Sequence, residues 1–173
     1  MRFKNFTKLS LMLIALWTSL SVTAQDKNIV ETAISSPDHT TLVAAVKAGD
    51  LVGVLSSEGP FTEFAPTNEA FAKLPAGTVE TLLKPENLKQ LQTVLTYHVV
   101  SGKVMAKDVV NLINSNNGKV EIATVQGGKL TAMLMDGAVY LSDENGNKSK
   151  VIATDLDNTN GVIHVIDSVV LPK

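Results

Sequence analysis

The chain has 173 residues, with 15 lysines and arginines against 17 aspartates and glutamates, and no cysteine. That length suits one ordinary domain, and the acidic balance argues against nucleic acid or an anionic membrane as the main partner. Without cysteine there is no disulfide, thiolate or zinc-thiolate chemistry.

Residues 1–24 read as a secretory signal peptide. Arg2, Lys4 and Lys8 form a basic start, Leu9 to Leu20 an apolar run too short to span a bilayer comfortably, and Val22-Thr23-Ala24 a small-residue cleavage site. Its removal takes three basic residues and no acidic one, leaving 25–173 as a single acidic domain with no membrane insertion. The first expected helix runs from Ile29 to Ser35 and is halted by Ser36-Pro37. A second begins at Asp38 or Thr40, with Leu42, Ala45 and Val46 on one face and Gly49 as its stop. Leu51 to Leu55 adds a short turn of helix.

Gly59 to Leu74 is the stretch around which the rest is organised, because it holds every phenylalanine beyond the signal peptide: Phe61, Phe64 and Phe71. Phe61 to Phe64 reads as a strand and Pro66 breaks it. Thr67 then caps a helix from Asn68 to Lys73 by accepting from the amide of Ala70. Phe64 and Phe71 are expected to close on the same core. Val79 to Leu83 makes a brief helix, and Pro85 opens a longer one with Leu88, Leu91 and Leu95 on one side. Tyr97 to Val100 leaves it as a strand, and Ala106 to Ile113 forms one more helix.

Beyond Gly118 the period becomes alternating. Val120 to Val125, Leu130 to Met135, Val139 to Leu141, Val151 to Thr154 and Val162 to Leu171 are strands, separated by turns at Gly127-Gly128, Asp136-Gly137, Asn145-Gly146 and Asn160-Gly161. Helices first and strands second favour an α+β fold over a parallel βαβ sheet. Asp143 to Asn147 lacks the sixth-position glycine and the distal glutamate of a calcium loop and reads as a hairpin turn. The three histidines, His39, His98 and His164, have no metal-ligand spacing, and no serine lies in a nucleophile elbow. No metal, cofactor or catalytic residue is therefore expected. His164, set in an apolar run, reads as a core histidine bonded to backbone or to a side chain such as Thr67 or Asn68.

Phe61 to Phe71 and Asn160 to Asp167 resemble the first and second motifs of the fasciclin family. Tyr97-His98-Val99, Thr124 to Gly128 and Ala153 to Leu156 lie between them in the family's order. The resemblance implies a fasciclin-like fold, a β-sandwich or wedge of two sheets with a cluster of helices, in which Phe64, Thr67, Asn68, Phe71 and His164 belong to the structural motifs. It also implies a secreted protein, extracellular or periplasmic, that mediates adhesion without a cofactor. Some animal relatives bind integrins through residues matching Asp155-Leu156 and Tyr97-His98. Asp155 reads alternatively as a turn carboxylate satisfied by local amides, and Tyr97-His98 as core rings with bonded polar tips. Asp157 stands where those relatives carry Leu or Met. Glu63 stands where relatives carry Val or Ile, and is expected on an exposed edge or paired with a base.

The leading reading is an adhesion module for a cell-surface protein or extracellular polysaccharide, with weak self-association among surface copies. The alternative is a periplasmic carrier of a small apolar or lipid ligand, held in a cleft that Met105, Met133 and Met135 could line.

Overall fold

The computed structural model describes residues 26–173, and the expected signal peptide lies outside them. Helix α1 (Ile29–Ser35) is started by Asn28, whose side chain accepts from the Glu31 amide while the Glu31 carboxylate accepts from the Asn28 amide. A 3-10 turn, Pro37–His39, leads into α2 (Thr40–Ala48), which buries Leu42, Ala45 and Val46 as its spacing requires. Helix α3 (Val52–Leu55) is a single turn without a side-chain cap. Strand β1 (Phe61–Pro66) gives way at Thr67, whose hydroxyl accepts from the Ala70 amide at 3.1 Å and begins α4 (Asn68–Ala72). Then follow α5 (Thr78–Leu82), α6 (Leu88–Tyr97), β2 (Val99–Ser101) and α7 (Ala106–Ser115). Five strands complete the chain: β3 (Lys119–Ala123), β4 (Lys129–Met135), β5 (Ala138–Ser142), β6 (Lys148–Asn158) and β7 (Gly161–Ile166). Among the described residues no helix is long and apolar enough to cross a membrane.

The strands form one sheet in the order β2-β1-β7-β6-β5-β4-β3, all antiparallel except β1 with β7. The expected wedge is built by sharing a strand. The start of β6, Lys148 to Lys150, pairs with β5, whereas Val151 onward pairs with β7. At the far edges Val125 donates its amide to the Val99 carbonyl at 2.7 Å, so the sheet comes close to a barrel.

Strand alternation around β1 and β7 separates two cores. Ala65, Ile163 and Val165 face the helices and pack with Ile29, Leu42, Leu95 and Phe71. Phe64 and Ile166 face the other way, among Tyr97, Ile113, Leu130 and Leu141. Phe64 and Phe71 therefore do not share a core, contrary to the expectation. The period of two at Phe64 sends its ring through the opposite face of the sheet. The parallel pairing is tight at its start: a Cβ on Gly161 would sit 2.2 Å from the Phe61 carbonyl oxygen, so no other residue fits there.

β1 runs through Pro66, which was expected to break it, and β2 begins at Val99 because Tyr97 still belongs to α6; the largest differences from expectation are in β6 and β7. β6 runs to Asn158 through a polar, exposed segment whose irregular register hides the strand period. β7 ends at Ile166, because the Asp167 carboxylate accepts from the Lys150 amide and turns the chain, and Ser149 then holds Ser168 by hydroxyl contacts at 2.8 and 3.1 Å.

Candidate functional site

Asp155 sits where the β6 to β7 register shifts, between Ala153 and Leu156, with φ of 59°. This bulge re-aims its side chain. Oδ1 accepts at 2.8 Å from the amide of Ala106, the first residue of α7. Its own amide donates to His164 Nδ1 at 3.3 Å, and His164 Nε2 donates to the Val104 carbonyl at 2.8 Å, which fixes a neutral imidazole tautomer. Asp157 pairs with Lys103. From β1, the Thr62 hydroxyl donates to the Gly102 carbonyl at 2.6 Å and accepts from the Val104 amide at 2.9 Å. The connection from Gly102 to Ala106 is thus clamped from three strands. The Asp155 carboxylate is satisfied by an amide, as one sequence reading had it, but by one 49 positions away. His164 is a satisfied core histidine, stacked on Phe64 with centroids 5.7 Å apart. Its partners are backbone groups, the Val104 carbonyl and the Asp155 amide, the first of the two alternatives, and not the side chain of Thr67 or Asn68.

Tyr97 and His98 lie inside the molecule. The Tyr97 hydroxyl donates to the Lys129 carbonyl at 2.6 Å, and burial pushes its pKa up to about 12. His98 Nδ1 donates to the Val94 carbonyl at 2.8 Å and Nε2 accepts from the Val170 amide at 3.3 Å. Burial lowers its pKa to about 4. Protonation would turn Nε2 into a donor facing another donor. Asn68 is a brace: Oδ1 accepts from the amide of Thr41 at 2.9 Å and Nδ2 donates to the Pro37 carbonyl at 2.9 Å, so it caps α2 from outside.

Of the residues singled out before Asn160, Leu156 and Asp157 reach solvent. Ile152 joins them, missed because an isoleucine in a strand is expected to be covered; it is 52% exposed and Leu156 38%. Ile152 borders an open groove with Asp38, Asn68 and Asp167, and Leu156 a small hollow with Ser36 and His39. The two side chains therefore flank the Pro37–His39 turn, and together they form a bulged apolar ridge, while Asp157, next along the strand, falls on the other face, where it pairs with Lys103.

Glu63 corrects an expectation. It lies on β1, between β2 and β7, and is 4% exposed. It is on no edge, and among the described residues no base pairs with it: burial raises its carboxyl pKa to about 7. Among the described residues the methionines do not converge on one cleft: Met105 stands at the start of α7. Met133 and Met135 alternate with Ala132 and Leu134, which pack into the second core, and so lie on the outer side of β4. Among the described residues no three His, Asp or Glu side chains are grouped to hold a metal. Asp143 to Asn147 is a turn, in which the buried Asp143 carboxylate accepts from the amides of Asn145, Asn147 and Leu171.

Three comparisons place this geometry. The family model for the fasciclin domain matches residues 37–172. Protein sll1483 of Synechocystis is 53% identical over 154 residues, covering 89% of this chain and 78% of that protein. Transforming growth factor-beta-induced protein ig-h3 of Sus scrofa is 37% identical over 131 residues, which are 76% of this chain but 17% of that one. Among solved structures, a FAS1 domain pair from the insect cell adhesion molecule Fasciclin I superposes with a TM-score of 0.74 at 21% identity, over 85% of this chain and 51% of that one. With the family's end motifs paired strand to strand as β1 and β7, and a single match running through nearly all the described residues, this chain belongs to the fasciclin domain family.

Proposed function

We propose that this protein is a secreted, non-enzymatic adhesion module acting at the cell surface or in the matrix, and that it contacts a protein or extracellular polysaccharide through the ridge on β6. The observation that carries the reading is the exposure of Ile152 and Leu156 on a rigidly clamped bulge. Large apolar side chains held in solvent by a structured backbone suit a contact surface, and this segment matches the one that the family resemblance ties to adhesion. Asp155, Tyr97 and His98 act from beneath, as a helix cap and as core supports. Membership of a family that includes an insect cell adhesion molecule agrees with this role. Affinity per copy is low, and attachment comes from many copies acting together.

The test is attachment of surface-immobilised protein to its producing cells and their matrix, comparing wild type with the Ile152→Asp/Leu156→Asp double variant. Both positions are exposed, so the variant is expected to keep its urea midpoint and lose attachment. Equal attachment by a folded double variant removes the ridge from the proposal, and no attachment by wild type removes adhesion.

A further inference from the structure

Glu63 lines the floor of an apolar groove whose walls come from α1, α2 and α3, with Val30, Leu42, Val46 and Leu55 along it and Lys47 at the rim. The clear space between these atoms is about 10 Å³, room for about one water. The carboxyl is the floor's polar group, 96% of its residue surface being removed from solvent, and no described residue donates a hydrogen bond to it or pairs with it. An unpartnered carboxyl there is costly to keep, because a Val or Leu of similar volume would pack against the same neighbours without loss. A polar group retained at the bottom of a greasy slot, and open to it, is the arrangement that orients an apolar ligand.

We propose that this groove binds a neutral aliphatic alcohol, its chain lying along Val30, Leu42, Val46 and Leu55 and its hydroxyl held by the Glu63 carboxyl. The chemistry selects the head group. A neutral carboxyl offers one donor and an acceptor, which a hydroxyl matches one for one. An ammonium would bury donors that nothing else at the floor can satisfy, and a carboxylate would meet a carboxyl with no cation deep in the groove. The slot is narrow when empty, with clear room for about one water, so chain entry widens it. The element that can yield is α3, one uncapped turn with Val54 already 56% exposed. This site is separate from the β6 ridge, and either can fail without the other.

The probe is 1-decanol below its solubility limit, titrated into the purified protein by calorimetry and followed by methyl NMR of Val46 and Leu55. Decanoate and decylamine serve as head-group controls. Wild type is expected to bind 1-decanol saturably and more tightly than either control. Glu63→Gln, which keeps a neutral donor and acceptor, retains binding, and Glu63→Met weakens it by about tenfold while remaining folded. No saturable binding to wild type overturns the proposal. So does equal binding by a folded Glu63→Met variant, or a preference for either charged control.

Discussion

Glu63 and His98 are both deeply buried, and pH acts on them in opposite senses. The Glu63 carboxyl titrates near 7 in the fold against 4.5 when exposed, so its contribution is fully present below pH 4.5 and is lost as pH rises to 7. His98 titrates near 4 against 6.5, so its contribution is present above pH 6.5 and is lost as pH falls to 4. Each displacement corresponds to about 3 kcal/mol. Across pH 4.5 to 6.5 the two slopes cancel. Replacing Glu63 by Gln removes one of them: the variant should match wild type near pH 4 and exceed it by about 3 kcal/mol at pH 8, measured by urea unfolding. A difference that does not change with pH would show that Glu63 is not held neutral by burial. The sequence flagged Glu63 as a departure from the family's aliphatic pattern, yet misplaced it. Strand alternation says which residues share a face, but not which face is covered or which strand is central. That answer needed β7, a hundred positions along the chain.

At the scale of the element, caps supplied from a distance are the recurring device. Thr67 caps its own helix three residues on, and such local chemistry could be read directly from Pro66-Thr67-Asn68. α2 and α7 are different. The side chain that satisfies the Thr41 amide is Asn68, and the one that satisfies the Ala106 amide is Asp155. Neither partner is near enough in sequence to be inferred from spacing. The helices themselves were legible because their apolar positions recur at helical spacing, as were the hairpins at Asp136-Gly137 and Asn145-Gly146. The bulge in β6 was not, since the expected strand stops at Thr154 and Asp155 reads as a turn carboxylate. Replacing Asp155 by Ala should cost about 1 to 2 kcal/mol. It should also speed hydrogen exchange at the first amides of α7 more than elsewhere. Uniform exchange across the protein would mean that the clamp on the Gly102 to Ala106 connection does not depend on this carboxylate. Asn68→Ala is expected to do the same at the start of α2.

For the whole molecule, the decisive fact is that β1 and β7 run side by side inside the sheet, next to the β2 edge, and serve both cores. Neither core can form without the pair, so the helical half and the strand half should unfold together. Far-UV circular dichroism, which reports the helices, and the near-UV signal of buried Tyr97, which reports the second core, should give one coincident urea transition. Separated midpoints would show two independent units. The order of elements made an α+β domain legible from the chain alone, because the period changes once, near Gly118. The strand order was not legible. A parallel pair between the chain's first and last strands leaves no local signature, and only the likeness of its two end segments to the family's motifs pointed to their meeting.

The same pair governs how the domain bears force. Just before β7 begins, the Lys27 carbonyl accepts from the Thr159 amide and the Ile29 amide donates to Asn160, whereas Leu171 and Lys173, past its other end, are fastened to Asp143 and Glu144. Tension that enters at one terminus and leaves at the other is therefore carried along β7. Its bonds to β1 and β6 are loaded in shear, many at once, rather than peeled one by one. A module tethered at one end and gripping at its surface would resist extension along its most deeply buried strand.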